Sequence, residues 1–333
     1  MAKRRVYVIG TGGSISCVGD SRLDLLNYNY ADRHLTIDEM VARIPEAHEF
    51  ADIRAEQFLN SYGGDIAPPQ WLDLARRIEQ IFHDDVEAAG VVIAHGTSTL
   101  EEAAYFLNLA VRSSKPVVIT GAMRPSTGLG TDADINLYDA IRVAASPDAA
   151  GKGALVVLNS EIQAARDVTK TNTSRLETFK SGELGFLGYA DADGKVVFLR
   201  APTRSHTASS EFDVDSITAL PRVDIACAYS GVDGSAVKAL VDTGCAGIVS
   251  AGLGSGSAPR AFLDALGEAQ RRSVCIVMAS QVGSGRVMAK RSFTEKGFVV
   301  ADNLAPKKAR ILLMLALAQT RDVGEIQRIF LTY

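Results

Sequence analysis

Three short strings in this chain gather hydroxyls and an amine: TGGSIS at 11–16, HGTST at 95–99 and RDVTKTNT at 166–173. Together they offer two hydroxyl nucleophiles, a lysine base and glycine turns that let a substrate approach the backbone. That is the equipment for splitting an amide by acyl transfer. Taken singly, each string also has a plainer explanation. TGGSIS is a glycine turn leaving a strand, in which Gly12 and Gly13 would let substrate meet the backbone and expose the Ser14 hydroxyl. In HGTST, Ser98 or Thr99 suits a helix N-cap, and His95 at a strand end is more often a satisfied structural histidine than a base. Lys170 fits a solvated loop cation. It equally fits a partly buried amine of lowered pKa that takes a proton from a threonine.

Other chemistries find less support. GTGGSI at 10–15 falls short of the dinucleotide fingerprint, because Ile15 stands where G-x-G-x-x-G needs its last glycine. No acidic residue in a second strand follows at the required distance. The four cysteines, Cys17, Cys227, Cys245 and Cys275, show no metal-ligand spacing. The three in the C-terminal third read as small buried thiols. A net charge of −4 with no basic stripe gives nothing to attract nucleic acid or an anionic membrane. The longest apolar stretch, ILLMLALA at 311–318, falls well short of the about 18 residues that span a bilayer. The basic residues near the start precede only VYVI, so no signal-peptide core is read there. A reduced, cytoplasmic protein is expected.

The elements that must position the strings follow from the apolar pattern. With 333 residues and 47% hydrophobic content, the chain can build two cores. Apolar runs at 6–10, 90–96, 116–122 and 154–159 lack alternation, as parallel strands covered on both faces do. Helices are predicted over 68–82, 98–111 and 136–146, the second opening with a Ser98–Glu101 capping-box pattern. Alternation of strand and helix means a larger N-terminal α/β domain, a mostly parallel sheet with helices on both faces, over residues 1–200. A polar stretch begins a linker at 201–222. Residues 223–333 form a smaller, flavodoxin-like α/β domain. Ligands of such sheets sit beyond the C-terminal strand ends, where TGGSIS and HGTST would meet.

TGGSIS, HGTSTLEEAAYFL, TGAMRPST, ARDVTKTNTSRLETFKSGELGFLGY and LAPKKARILLMLALA resemble the bacterial L-asparaginase/glutaminase family of threonine amidohydrolases, over essentially the whole chain. The resemblance implies a homotetramer built as a dimer of dimers and a small-molecule amide substrate. It implies side-chain amide hydrolysis through an acyl-enzyme, without metal or cofactor. Carried over residue by residue, Ser14 stands where the family has its first nucleophilic threonine, Thr97 matches the second threonine, and Lys170 matches the lysine. Tyr28, or Tyr30 in another alignment, matches the lid tyrosine. Thr11, Gly13, Gly63, Gly64, Asp65, Gly96, Ser98 and Ala122 fall on substrate-binding positions. Serine at position 14 keeps the hydroxyl but loses the methyl that restrains its rotamer.

The departures fall on substrate recognition. Ser98 replaces an aspartate that, in the family, grips the substrate α-ammonium and partners the lysine. A charged hydrogen bond of that kind is worth about 1.5–3 kcal/mol. Without it Lys170 is expected to titrate closer to neutral. Gly63, or Ser61 with a gap, stands where the family binds the α-carboxylate through serine. GLGSGS carries Ser255 and Ser257 where the family often has asparagines. No acidic residue near 285–292 matches the one that periplasmic members lend to a neighbouring subunit. Three readings follow: an asparaginase with a rebuilt grip, an amidase for a monoamide lacking the α-amino group, or a decayed ligand-binding homologue. Persistence of Ser14, Thr97 and Lys170 weighs against the last. The expected mechanism has Ser14 or Thr97 attacking the amide, Lys170 relaying the proton, and N–H groups around Thr97 and Ser98 holding the oxyanion.

Overall fold

The computed structural model describes residues 3–28, 33–61 and 66–333. Tyr30, Gly63, Gly64 and Asp65 lie outside the described residues. The chain divides into two compact units, the first ending at Val214 and the second beginning at Asp215.

In the first unit the apolar runs become buried strands: β1 (Arg4–Gly12), β2 (Ala51–Ser61), β3 (Ala88–Ala94), β4 (Val117–Thr120), β5 (Ala154–Leu158) and β6 (Glu161–Ala164). A short hairpin of β7 (Thr169–Lys170) and β8 (Phe179–Lys180) follows, then β9 (Gly188–Ala190) and β10 (Val196–Phe198). One sheet runs in the order β10-β9-β6-β5-β4-β3-β1-β2. The neighbours from β2 to β5 pair in parallel, while β5–β6, β6–β9 and β9–β10 are antiparallel. The sheet is therefore mixed, and the expectation of parallel strands holds for its five-strand portion. The reversal has a local cause. Asn159 and Ser160, between β5 and β6, have φ of 54° and 59°, the left-handed pair that closes a tight hairpin. No glycine announces it in the sequence.

Among the described residues four α-helices cover the sheet: α1 (Ile37–Ala42), α2 (Pro68–Asp84), α3 (Leu100–Ala110) and α4 (Ala133–Ala145). Side chains alternate along strands, so each face takes its own partners. Val6, Val8, Val92, Val118, Leu155 and Val157 share a core with Ile37 and Met40 of α1 and Leu137 and Ile141 of α4. The opposite parity serves the other face. Tyr7 there donates a 3.0 Å hydrogen bond to Asp85, just past α2, and Trp71 of α2 meets Phe106 of α3 with ring centroids 5.9 Å apart. The polar stretch after residue 200 is draped over this unit: Ser210 Oγ donates to the Leu109 carbonyl at the end of α3, and Phe212 is fully buried.

The second unit is a wholly parallel sheet of β11 (Val223–Cys227), β12 (Gly247–Gly252), β13 (Cys275–Ser280) and β14 (Val299–Val300). Its helices are α5 (Ser235–Asp242), α6 (Arg260–Arg271), α7 (Arg291–Thr294), α8 (Pro306–Gln319) and α9 (Val323–Thr332). The ILLMLALA run lies in α8, buried through Leu312, Leu313 and Leu315. Among the described residues no helix is long and apolar enough to cross a membrane. Cys17, Cys245 and Cys275 are buried, but Cys227 is exposed, correcting the expectation of a buried thiol. It lies on an edge strand between Ala226 and Ala228, which are buried in the core, so its own side chain points to the opposite face.

Candidate active site

The two hydroxyl strings meet because glycines let two backbones touch. β1 loses register with β2 between Gly10 and Gly12, and the Gly13 N–H donates to the Ser61 carbonyl at 3.1 Å. Gly12 and Gly13 have φ of +98° and +89°, a region that favours glycine. A Cβ on Gly12 would sit 2.2 Å from the Ser61 carbonyl oxygen, and one on Gly13 would sit 2.1 Å from Gly96 Cα. The residues that follow these two touching glycines, 13 and 96, are Ser14 and Thr97. Both candidate nucleophiles thus stand side by side at the C-terminal ends of the neighbouring strands β1 and β3.

Each hydroxyl has a partner. Lys170 Nζ donates to Thr97 Oγ1 at 2.9 Å. Ser14 Oγ lies 3.3 Å from the Tyr28 hydroxyl, with Tyr28 only 9% exposed. Lys170 comes from β7, so RDVTKTNT is part of a hairpin rather than a loop following a buried strand. Two of its neighbours hold that hairpin. The Thr171 N–H donates to the Thr178 carbonyl at 2.8 Å, and Thr178 Oγ1 accepts from the Asn172 N–H at 2.9 Å.

His95 plays the structural part. Thr11 Oγ1 donates to the Ala94 carbonyl at 2.9 Å, so it accepts from His95 Nδ1 at 2.7 Å. That leaves Nε2 without a proton, to accept from Thr99 Oγ1 at 3.2 Å. Burial pushes the imidazole down to about 4, so it is neutral near pH 7. The same bond explains why the Ser98–Glu101 capping box does not form. Thr99 is the N-cap, its hydroxyl turned to His95, while Ser98 is exposed and Glu101 buried.

This burial carries a pH prediction. The folded pKa lies below the ordinary 6.5, so the stabilisation is complete above 6.5 and is lost as pH falls toward 4, by up to about 3 kcal/mol. Urea midpoints measured from pH 7 to 4.5 should fall more steeply in the parent than in His95→Gln. Parallel profiles would remove His95 from the account.

Thr11, Gly13, Gly96 and Ala122 are buried, and Thr11 spends its hydroxyl on His95 and Ala94. Ser98, next to Thr97, is open to solvent. The sequence reading missed Asp132. Its carboxylate accepts the N–H groups of Met123 and Arg124 at 2.9 and 3.0 Å and the Asn136 amide at 3.0 Å. It thereby closes the loop behind Gly121, where a Cβ would lie 3.1 Å from Thr97 Cγ2. An aspartate one residue before a helical pattern was the available signal. Among the described residues no group of three or more His, Cys, Asp and Glu side chains is arranged to hold a metal ion.

The model of the asparaginase N-terminal domain matches residues 5–204, and that of the glutaminase/asparaginase C-terminal domain matches 222–330. The chain belongs to the asparaginase family. It is 41% identical to L-asparaginase 2 of Escherichia coli (strain K12), over 100% of this chain and 94% of that one. It is 40% identical to the glutaminase-asparaginase of Pseudomonas fluorescens biotype A, over 98% of this chain and 90% of that one. Among solved structures, the probable cytoplasmic L-asparaginase from Campylobacter jejuni superposes with a TM-score of 0.95 at 41% identity, over 99% of this chain and 100% of that one. This asparaginase-family amidohydrolase therefore presents two hydroxyls at one sheet edge, with an amine already bonded to one of them.

Proposed function

We propose that the protein hydrolyses the side-chain amide of asparagine, or of a close analogue, to the acid and ammonia through an acyl-enzyme on Ser14 or Thr97. The observation that carries this reading is the 2.9 Å bond from Lys170 to Thr97 beside the Gly13–Gly96 contact. In its neutral form the amine accepts the hydroxyl proton as oxygen attacks the amide carbon, and returns it to the leaving nitrogen. Ammonia departs and an ester is left on the enzyme. Water then adds to the ester carbon, giving one proton back to the hydroxyl as the acid leaves. N–H groups around Thr97 and Ser98 hold the oxyanion. Tyr28 closes over Ser14. Exposed Ser98 offers the substrate a neutral contact where a carboxylate would offer a charge. The names L-asparaginase and glutaminase-asparaginase carried by relatives near 40% identity support the substrate class.

Ammonia release from L- and D-asparagine, L-glutamine and monoamides lacking the α-amino group tests the substrate, with L-asparagine expected to be turned over fastest. Ser14→Ala and Thr97→Ala should each lower kcat about a hundredfold to ten-thousandfold. Intact mass spectrometry after rapid quenching should find the acyl group only where its nucleophile survives. Full activity in both variants would sink the mechanism. The reading includes a homotetramer and a cytoplasmic location, checked by light scattering and by cell fractionation.

A further inference from the structure

The last two residues of the string TGAMRPST, Ser126 and Thr127, take no part in the chemistry described above, yet they touch the catalytic turn and the lid. Ser126 is buried. Its hydroxyl donates to the Ile15 carbonyl and its N–H to the Cys17 carbonyl at 3.0 Å. Its own carbonyl accepts from Arg43 Nη2 at 3.0 Å, and that guanidinium forks onto Asp134 at 2.9 and 2.8 Å. The backbone just after Ser14 is thus held from one side by a fixed serine.

Thr127 does the same for the lid. Its Oγ1 accepts the Gly19 N–H at 3.0 Å, where the chain leaves the catalytic turn. Two residues on, the Leu129 N–H donates to the Arg22 carbonyl at 2.7 Å. Beyond Arg22 the lid is ordered by Asp24, whose Oδ1 accepts the N–H groups of Leu26 at 3.2 Å and Asn27 at 2.8 Å. The next residue is Tyr28, on Ser14.

We propose that Ser126 and Thr127 are positioning residues for the hydrolysis: Ser126 fixes the turn that carries Ser14, and Thr127 anchors the lid that brings the Tyr28 hydroxyl to it. The proposal rests on the reading of Ser14 and Tyr28 as catalytic-site groups. Neither positioning residue touches substrate. Thr127 is the sharper test because it is only half-buried, so a valine of the same shape fits while the acceptor is lost.

Thr127→Val is expected to lower kcat about fivefold, the cost of one ordinary hydrogen bond. KM should change less, since Tyr28 meets the enzyme's own hydroxyl. Thr127→Ser, which keeps the acceptor, should restore the parent value. The lid itself is read without any substrate. Trypsin cleavage after exposed Arg22, followed by mass spectrometry on the full chain, should be about fivefold faster in Thr127→Val and normal in Thr127→Ser. If the valine variant fails to fold, Asp24→Ala loosens the same lid from its other end and should accelerate the same cleavage. An Arg22 cleavage rate equal to that of the parent, or a serine variant no better than the valine one, would overturn the proposal. A parent protein that releases no ammonia from any amide would overturn the catalytic reading instead, leaving the cleavage rates to decide whether Thr127 anchors the lid.

Discussion

Lys170→Met should lose about a hundredfold to ten-thousandfold in kcat, the range that a positioned proton-transfer group supplies, while the protein stays folded. Methionine keeps most of the length and the apolar stem of lysine. It cannot donate to Thr97 Oγ1, and it cannot carry a proton from hydroxyl to leaving nitrogen. The hairpin that bears residue 170 is held by other groups, Thr171, Asn172 and Thr178, so the variant should melt close to the parent. The informative comparison is a double variant with Thr97→Val. If Lys170 acts through Thr97, the two losses overlap and the pair is little worse than either alone. If the losses multiply, the 2.9 Å bond is not the working contact. Retention of parent kcat by Lys170→Met would remove the amine from the reaction altogether.

Gly13→Ala is the second large effect, and it acts through shape. The new methyl would lie 2.1 Å from Gly96 Cα and 2.5 Å from Gly96 N. Both neighbours are main-chain atoms at the end of β3, with no side chain to swing aside. Backbone strain at φ +89° adds to the clash. A loss of at least about 3 kcal/mol is expected in urea unfolding, with activity falling at the same time because Ser14 and Thr97 are pushed apart. Gly151→Ala is the matched control. Its φ is +69°, but nothing lies within 4 Å of the added methyl, so it should cost only about 1 kcal/mol from the conformation alone. Equal losses in the two variants would mean that the contact between residues 13 and 96 is not tight.

Much of the framework was legible in the sequence because burial on both faces leaves a pattern. VYVI, GVVIA, VVIT and ALVVL had to be covered strands, and each is. The antiparallel edge was not legible, because Asn159–Ser160 adopts a left-handed pair without the glycine that usually marks one. At the site, the glycines and hydroxyls were visible as residue types, but their meeting was not. Thr97 and Lys170 stand 73 residues apart in the chain, and only the family resemblance paired them before the fold did. The capping box failed for a physical reason that local spacing could not carry: Thr99 had a buried imidazole to satisfy. Ser126 and Thr127 went unassigned because each works on main-chain groups of distant segments, which leaves no periodic trace.

The hydrogen-bond chain through His95 has a direction, and that direction bears on where protons can go. It runs from the Thr99 hydroxyl to Nε2, from Nδ1 to the Thr11 hydroxyl, and from there to the Ala94 carbonyl. A carbonyl oxygen in a strand has no proton to pass on, so the chain ends there. Reversing it would require both hydroxyls to turn and the buried imidazole to exchange tautomers. Nitrogen chemical shifts showing the proton on Nε2 would contradict this polarity. With the proton on Nδ1, His95 acts as an insulator under the site, and a proton released at Thr97 or Ser14 does not leave through it.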